Sequence, residues 1–280
     1  MQGEIGLGQL AGNYDVILSD VWGVLHNGIA AWPEAVDALR RFRAGGGTVV
    51  LITNSPRPSA PLVGLLDSVG VARDCYDALV SSGDATRAML RAYQGRKVHE
   101  VGPEDERHLY DGLGLIFSSA DEAEAVVVTD LDDITHTPEM YLGRAKLWRA
   151  RHLPLIVANP DRVVEHGDQL VYCGGALADL YAELGGEVRM AGKPFAPIYE
   201  EALRLARAAH KGEIGQGRIL AIGDSVRTDA TGAANQKLDF LFITGSIHAG
   251  ELEDAEKGAV EKLVAPSGAR LVSHLPRLVW

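Results

Sequence analysis

Short apolar runs that stop at polar residues punctuate this chain. Val16-Ile17-Leu18 stops at Ser19-Asp20, and Val49-Val50-Leu51-Ile52 stops at Thr53-Asn54-Ser55. Ile219-Leu220-Ala221-Ile222 stops at Gly223-Asp224, and Phe240-Leu241-Phe242-Ile243 at Thr244-Gly245. Runs that are apolar throughout predict strands buried on both faces. Between the first two, Pro33 opens a segment whose apolar positions Val36, Leu39 and Phe42 recur at threes until Gly45-Gly46-Gly47. That pattern predicts a helix with proline in its first turn and glycine beyond its end. Ile198 to Ala209 predicts a second. Strands alternating with helices predict an α/β protein, a Rossmann-like parallel sheet covered by helices.

Residues 84–189 carry an alternation of their own. Val126-Val127-Val128 and Leu155-Ile156-Val157 predict strands, with helices from Pro138 to about Arg151 and from Ala176 to Leu184. A stretch that can bury its own core predicts an inserted α/β domain over 84–189, with 1–83 and 190–280 forming the core domain. The acidic stretch Gly250 to Leu263 predicts a solvated surface helix.

Composition narrows the function. At 280 residues, 46% apolar and 23% charged, the chain can bury a large core and is not disordered. Its two cysteines, Cys75 and Cys173, form neither a disulfide framework nor a zinc site, so a cytoplasmic setting is expected. The opening Met1-Gln2-Gly3-Glu4 does not read as a secretory signal, and no apolar run reaches the ~18 residues of a membrane span. A net charge of −11 disfavours nucleic acid as a partner. It leaves room for a small phosphorylated ligand at a locally positive or metal-bridged site.

Four segments carry candidate chemistry. They are Asp20 in D-V-W-G-V, Thr53 in L-I-T-N-S, Lys193 in A-G-K-P, and Asp224 with Asp229 in G-D-S-V-R-T-D. Each follows an apolar run or turn, and residues beyond the carboxyl ends of parallel strands share one edge, where ligands bind. Alone, Asp20 could cap a turn and Asp229 a helix. Together the residue types suit phosphoryl transfer. Thr53, nearby backbone N–H groups and Lys193 would surround phosphate oxygens, and paired carboxylates suit Mg²⁺. A carboxylate set against phosphorus can act as nucleophile and form an aspartyl-phosphate.

In this order the four motifs resemble the haloacid dehalogenase (HAD) superfamily, over nearly the whole chain. An insertion between the Thr53 and Lys193 motifs is similar to the subclass with an α/β cap there, which includes nitrophenylphosphatase-like, phosphoglycolate-phosphatase-like and sugar-phosphate phosphatases. Ala158-Asn159-Pro160-Asp161 and Cys173-Gly174-Gly175-Ala176 are similar to that subclass too. The resemblance implies that Asp20 is the nucleophile and a Mg²⁺ ligand, joined by the Trp22 carbonyl and Asp224, with Asp229 bonded to metal-bound water or to Lys193. Thr53 and the Asn54 amide would hold phosphoryl oxygens, and Lys193 would neutralise charge there. Trp22, Gly23, Ser55, Asn159 and Asp161 would complete the substrate site. Proteins of this type often dimerise through the cap, so a homodimer is an expectation.

One position departs from the pattern. Phosphatases of the superfamily usually read D-x-D at the first motif, and Trp22 stands where the second aspartate protonates the leaving group. An indole N–H cannot replace it. Three readings stay open: hydrolysis of acyl or aryl phosphates, another group such as His26 standing in, or a ligand-binding protein with little turnover. Dehalogenase-type hydrolysis at carbon is a further alternative. Arg57 could meet a second anionic group of a substrate.

Overall fold

A computed structural model describes residues 5–167, 169–215, 217–252, 256 and 258–280. Its strands are β1 (Val16–Ser19), β2 (Thr48–Thr53), β3 (Ala78–Ser81), β4 (Lys97–Val101), β5 (Ile116–Phe117), β6 (Ala125–Val128) and β7 (Leu155–Val157). After them come β8 (Val163–His166), β9 (Gln169–Tyr172), β10 (Val188–Met190), β11 (Ile219–Gly223), β12 (Asp239–Ile243) and β13 (Arg270–Leu275).

Six strands form a parallel core sheet in the order β3-β2-β1-β11-β12-β13. The apolar runs build it for the reason their composition suggests. Successive side chains leave a strand on opposite faces. Ile17, Val49, Leu51, Leu220, Ile222 and Leu241 pack on one side, with the helices Pro33–Ala44 and Ser59–Val69. Their neighbours Val16, Leu18, Val50, Ile52, Ala221 and Phe240 pack on the other, with the helix Ala196–Ala209.

The chain winds from β1 outward to β3, then returns to the other flank of β1 and winds out through β11, β12 and β13. Strand order therefore reverses between β1 and β11, and in such sheets the crevice beyond that point is where ligands sit.

The inserted region is a second doubly wound sheet, parallel throughout, in the order β5-β4-β6-β7-β10. The helices Leu142–Ala150 and Gly174–Glu183 cover one face through Trp148, Leu177 and Tyr181. Leu90, Tyr93 and Leu109 cover the other. The chain crosses into this cap through the helix Ser82–Leu90, whose start is fixed by a reciprocal cap between Ser81 and Asp84. The 84–189 boundary thus falls within its first turn. An antiparallel hairpin, β8–β9, leaves the cap toward the core.

Two expectations change in detail. Pro138–Tyr141 is a 3₁₀ turn, and the α-helix starts at Leu142. Within Gly250–Leu263, the structure has short helices at Ala249–Leu252 and Ala259–Val264, while 253–255 and 257, like 1–4, lie outside the described residues.

Candidate active site

The reversal point of the core sheet gathers four buried charges. Asp20 follows β1, and its backbone N–H still bonds to the Ile222 carbonyl at 2.8 Å, which holds it beside β11. Asp224 follows β11. Asp229 lies in the single π-helical turn Val226–Ala230, and its Oδ2 accepts from the Ser225 backbone N–H at 3.1 Å. One carboxylate oxygen from each of Asp20, Asp224 and Asp229 lies within 4.8 Å of the other two. Lys193, only 1% exposed, bridges two of them, with Nζ 2.6 Å from Asp20 Oδ1 and 2.7 Å from Asp229 Oδ1.

Gly23 makes this packing possible. Its φ is +81°, and a Cβ there would stand 2.0 Å from Asp224 Oδ2, so only glycine lets the first motif turn against that carboxylate.

Charge balance sets the electrostatics. Burial first, then Asp229, pushes Asp20 well above the ordinary carboxylate range against the pull of Lys193. Burial and Asp229 push Asp224 up to about 7. Burial pulls the Lys193 ammonium down, but Asp20 and Asp229 outweigh it and hold the pKa above the usual lysine value. Three buried carboxylates facing one ammonium leave negative charge that a divalent cation would neutralise. Oxygen donors at this spacing suit Mg²⁺.

Asn54 braces the lysine. It is buried, its Oδ1 accepts from the Lys193 backbone N–H at 2.7 Å, and its Nδ2 donates to Asp161 Oδ1 at 2.9 Å and to the Lys193 carbonyl at 3.2 Å. Its side chain is thus occupied in scaffolding. Thr53 Oγ1 accepts from the Ser55 backbone N–H at 3.2 Å, which orients the hydroxyl.

The cap closes over the cluster. A cleft of about 20 Å³ is lined by Asp20, Trp22, Thr53 and Asp224 from the core and by Asp161 and Val164 from the cap. Space of that size holds about one water. Trp22, Thr53, Asp161 and Val164 also line a larger cavity of about 390 Å³ that extends into the cap. Ser55, Arg57 and Asn159 face this larger space.

Trp22 is the joint between the two spaces. Its indole N–H donates to the Glu165 carbonyl on β8, and the adjoining Glu165 carboxylate accepts from Ser246 at 3.0 Å. The Trp22 ring lies 5.0 Å from His26 and 6.2 Å from His166, centroid to centroid. His26 itself is buried, and its Nδ1 accepts from the Gly28 backbone N–H at 2.9 Å. Burial brings its pKa down to about 4, so it is a neutral ring that supports the turn. That environment removes it as the stand-in proton donor. Arg57 is likewise committed, with a 2.6 Å ion pair to Asp105 and a 3.9 Å approach to Glu106. A substrate anion would have to displace it.

The structure thus brings Asp20, Thr53, Lys193, Asp224 and Asp229 to one point, with Trp22 and Asp161 at its mouth. Sequence reasoning missed two other carboxyls. Asp130, following β6, and Glu106, in the 3₁₀ segment Glu104–Tyr110 after β4, line the large cavity. Asp130 had a sequence signal, since Val126-Val127-Val128 stops at Thr129-Asp130 just as β1 stops at Asp20. Glu106 sits in E-D-E-R, which reads as solvated charge.

Comparisons with known proteins agree with this geometry. The haloacid dehalogenase-like hydrolase family profile matches residues 17–116, and a HAD-hydrolase-like profile matches 190–267. A haloacid dehalogenase-like hydrolase from Brucella suis 1330 is 42% identical, with a TM-score of 0.88 over 98% of this chain and 99% of that one. A glycerol phosphate phosphatase from Mycobacterium tuberculosis, solved in complex with magnesium, is 25% identical, with a TM-score of 0.63 over 88% of this chain and 73% of that one. The 4-nitrophenylphosphatase of Schizosaccharomyces pombe is 22% identical over 92% of this chain and 93% of its own length.

Proposed function

The chain belongs to the haloacid dehalogenase-like hydrolase superfamily, and from that premise we propose that it is a Mg²⁺-dependent phosphatase of a small phosphorylated metabolite. The observation that carries this reading is Lys193, buried and held between Asp20 and Asp229 within the three-carboxylate cluster. The magnesium complex of the related glycerol phosphate phosphatase supports the choice of metal.

Asp20, Asp224 and Asp229 would hold the ion, with the Trp22 carbonyl as a further oxygen donor. Bound there, Mg²⁺ supplies charge neutralisation and polarises the phosphoryl group. Lys193 keeps Asp20 oriented and stabilises its ionised form. An Asp20 carboxylate oxygen attacks phosphorus, the bond from phosphorus to the ester oxygen breaks, and the phosphoryl group rests on Asp20 until water hydrolyses it. The Thr53 hydroxyl donates to a phosphoryl oxygen. The cleft over Asp20 is too small for a phosphate, so substrate enters as the hairpin β8–β9 lifts, and re-closure excludes bulk water.

The missing second aspartate leaves the proton for the leaving group to another residue. Asp161 and Glu165 of the cap line the cleft with Asp20 and Thr53, and Glu165 is tied to Ser246, which leaves Asp161 as the candidate. Burial raises its pKa against the pull of Lys193, which favours the protonated form that a donor needs. Asp161→Asn should cut glycerol phosphate turnover roughly 10²-fold. Acetyl phosphate, whose leaving group needs little protonation, should fall far less.

One observation favours a second reading. The only side-chain donor of Trp22 is spent on the hairpin, which suits a binding protein with little turnover. The two separate on a panel of acetyl phosphate, nitrophenyl phosphate and sugar phosphates, with Mg²⁺ and with chelator. Metal-dependent phosphate release supports the phosphatase. Thermal stabilisation by ligands without release on any substrate supports the binding protein, and chelator-insensitive halide release from a haloacid would support the dehalogenase.

A further inference from the structure

The cap repeats the topology that makes the core's site. Its strand order reverses between β4 and β6, the strands from which the chain runs to opposite flanks of the sheet. Crevices beyond the carboxyl ends of strands at such a reversal are ligand sites. The two carboxyls of the large cavity stand there, Glu106 in the segment following β4 and Asp130 following β6.

Glu106 is the informative one. It is only 5% exposed, and its Oε2 has no hydrogen-bond partner among the described residues. A buried acceptor left without a donor is costly, and a ligand carrying a donor would recover that cost. Asp130 is better satisfied, accepting from Asn159 Nδ2 at 2.8 Å and from the Leu131 backbone N–H at 3.0 Å. The Arg57 guanidinium, the nearby cation, is paired to Asp105. Asp133 and Asp161 stand on the same walls. This end of the cavity thus offers carboxyl oxygens as acceptors, while the guanidinium that lines it, Arg57, is already paired and holds no site for an anion.

We infer that Glu106 and Asp130 form a leaving-group subsite for phosphate esters whose organic part presents hydrogen-bond donors, hydroxyls or an ammonium, and carries no carboxylate. This rests on the phosphatase reading, and it deepens that reading by giving a class to the leaving group. On that reading the phosphoryl end would sit over Asp20 beside Thr53, with Lys193 behind Asp20, and the cavity that shares Trp22, Thr53 and Asp161 with the cleft would take the rest of the molecule.

The test compares kcat/KM of the full chain with Mg²⁺ on phosphoethanolamine, glycerol phosphate and phosphoglycolate. Calorimetric binding of the same esters to the Asp20→Asn variant is measured in parallel. The ammonium and polyol esters should exceed phosphoglycolate at least tenfold, and whichever of the two leads identifies the donor. Glu106→Gln, which exchanges an acceptor for an amide, should lower the glycerol phosphate to phosphoglycolate ratio at least tenfold. A ratio is read on whatever fraction folds, and Glu106→Ala should move it the same way. Equal or better use of phosphoglycolate, or a ratio indifferent to both Glu106 variants, overturns the subsite. If no ester is hydrolysed, the phosphatase reading fails, while the same order in the binding data, erased by Glu106→Gln, would still sustain the subsite.

Discussion

The molecule holds two doubly wound sheets, each with a pair of carboxyls at its reversal point, and the pairs differ in one respect. Asp20 and Asp224 in the core share their pocket with a buried ammonium, Lys193. Among the described residues, Glu106 and Asp130 in the cap have the Arg57 guanidinium as countercharge, 3.9 Å from Glu106 and engaged with Asp105. Fold and residue type are alike in the two places, so the difference lies in countercharge. Burial raises the carboxyls in both places, but in the core a buried ammonium pulls against it and the grouped oxygens can take a metal beside an anion. In the cap the opposing charge is a guanidinium already paired to Asp105, and the carboxyls are left as acceptors that suit donors. The same arrangement serves chemistry in one sheet and selection in the other.

The sharpest way to break that contrast is to give the core the cap's electrostatics. Lys193→Met keeps the volume and removes the ammonium. Phosphate release should fall at least about 10³-fold. Breaking a buried ion pair should also lower the stability of the metal-free protein by roughly 3–5 kcal/mol, read by chemical denaturation.

The cap pair makes a prediction in pH. Burial pushes Glu106 up to about 7, against an ordinary value of 4.5. Between those values the folded protein binds the proton and the unfolded chain does not. Its contribution to stability is therefore full below 4.5 and is lost as pH rises toward 7, at no more than about 1.4 kcal/mol per pH unit. Asp224, also raised to about 7, acts in the same direction. Denaturation midpoints of metal-free protein should fall across this window, and Glu106→Gln should flatten the fall. Mg²⁺ should stabilise more at pH 8 than at pH 5.5, because it binds ionised carboxylates.

The smallest effect concerns the link between the sheets. Trp22→Phe keeps the ring and deletes the donor to the Glu165 carbonyl. About 1 kcal/mol of closure should be lost, seen as several-fold faster amide exchange within Val163–Tyr172 and unchanged exchange in β1 and β2.

The core was legible because parallel strands buried on both faces must be apolar throughout. β1, β2, β11 and β12 announce themselves, and so do the polar residues that end them. The cap was half legible. β6 and β7 are apolar runs, but β4 reads Lys97-Val98-His99-Glu100-Val101, and β5 has both residues exposed. β8 is half-buried and β9 mostly exposed, and both depend on docking against the core, which no local pattern encodes. The site shows the same division. Asp20, Thr53, Lys193, Asp224 and Asp229 are marked by motif order, whereas Glu106 becomes a buried carboxyl only once the cap packs around it. Trp22 was visible as a departure, but its bond to the hairpin is a tertiary fact.

Transfer of the phosphoryl group through Asp20 is the central step of the proposed reaction. Acid-quenching the protein after brief exposure to labelled acetyl phosphate tests this directly. The label should remain on protein in the presence of Mg²⁺, map to the peptide containing Asp20, and vanish with chelator or in Asp20→Asn. Labelling that persists in Asp20→Asn, or phosphate release with no labelled protein at any quench time, would contradict it.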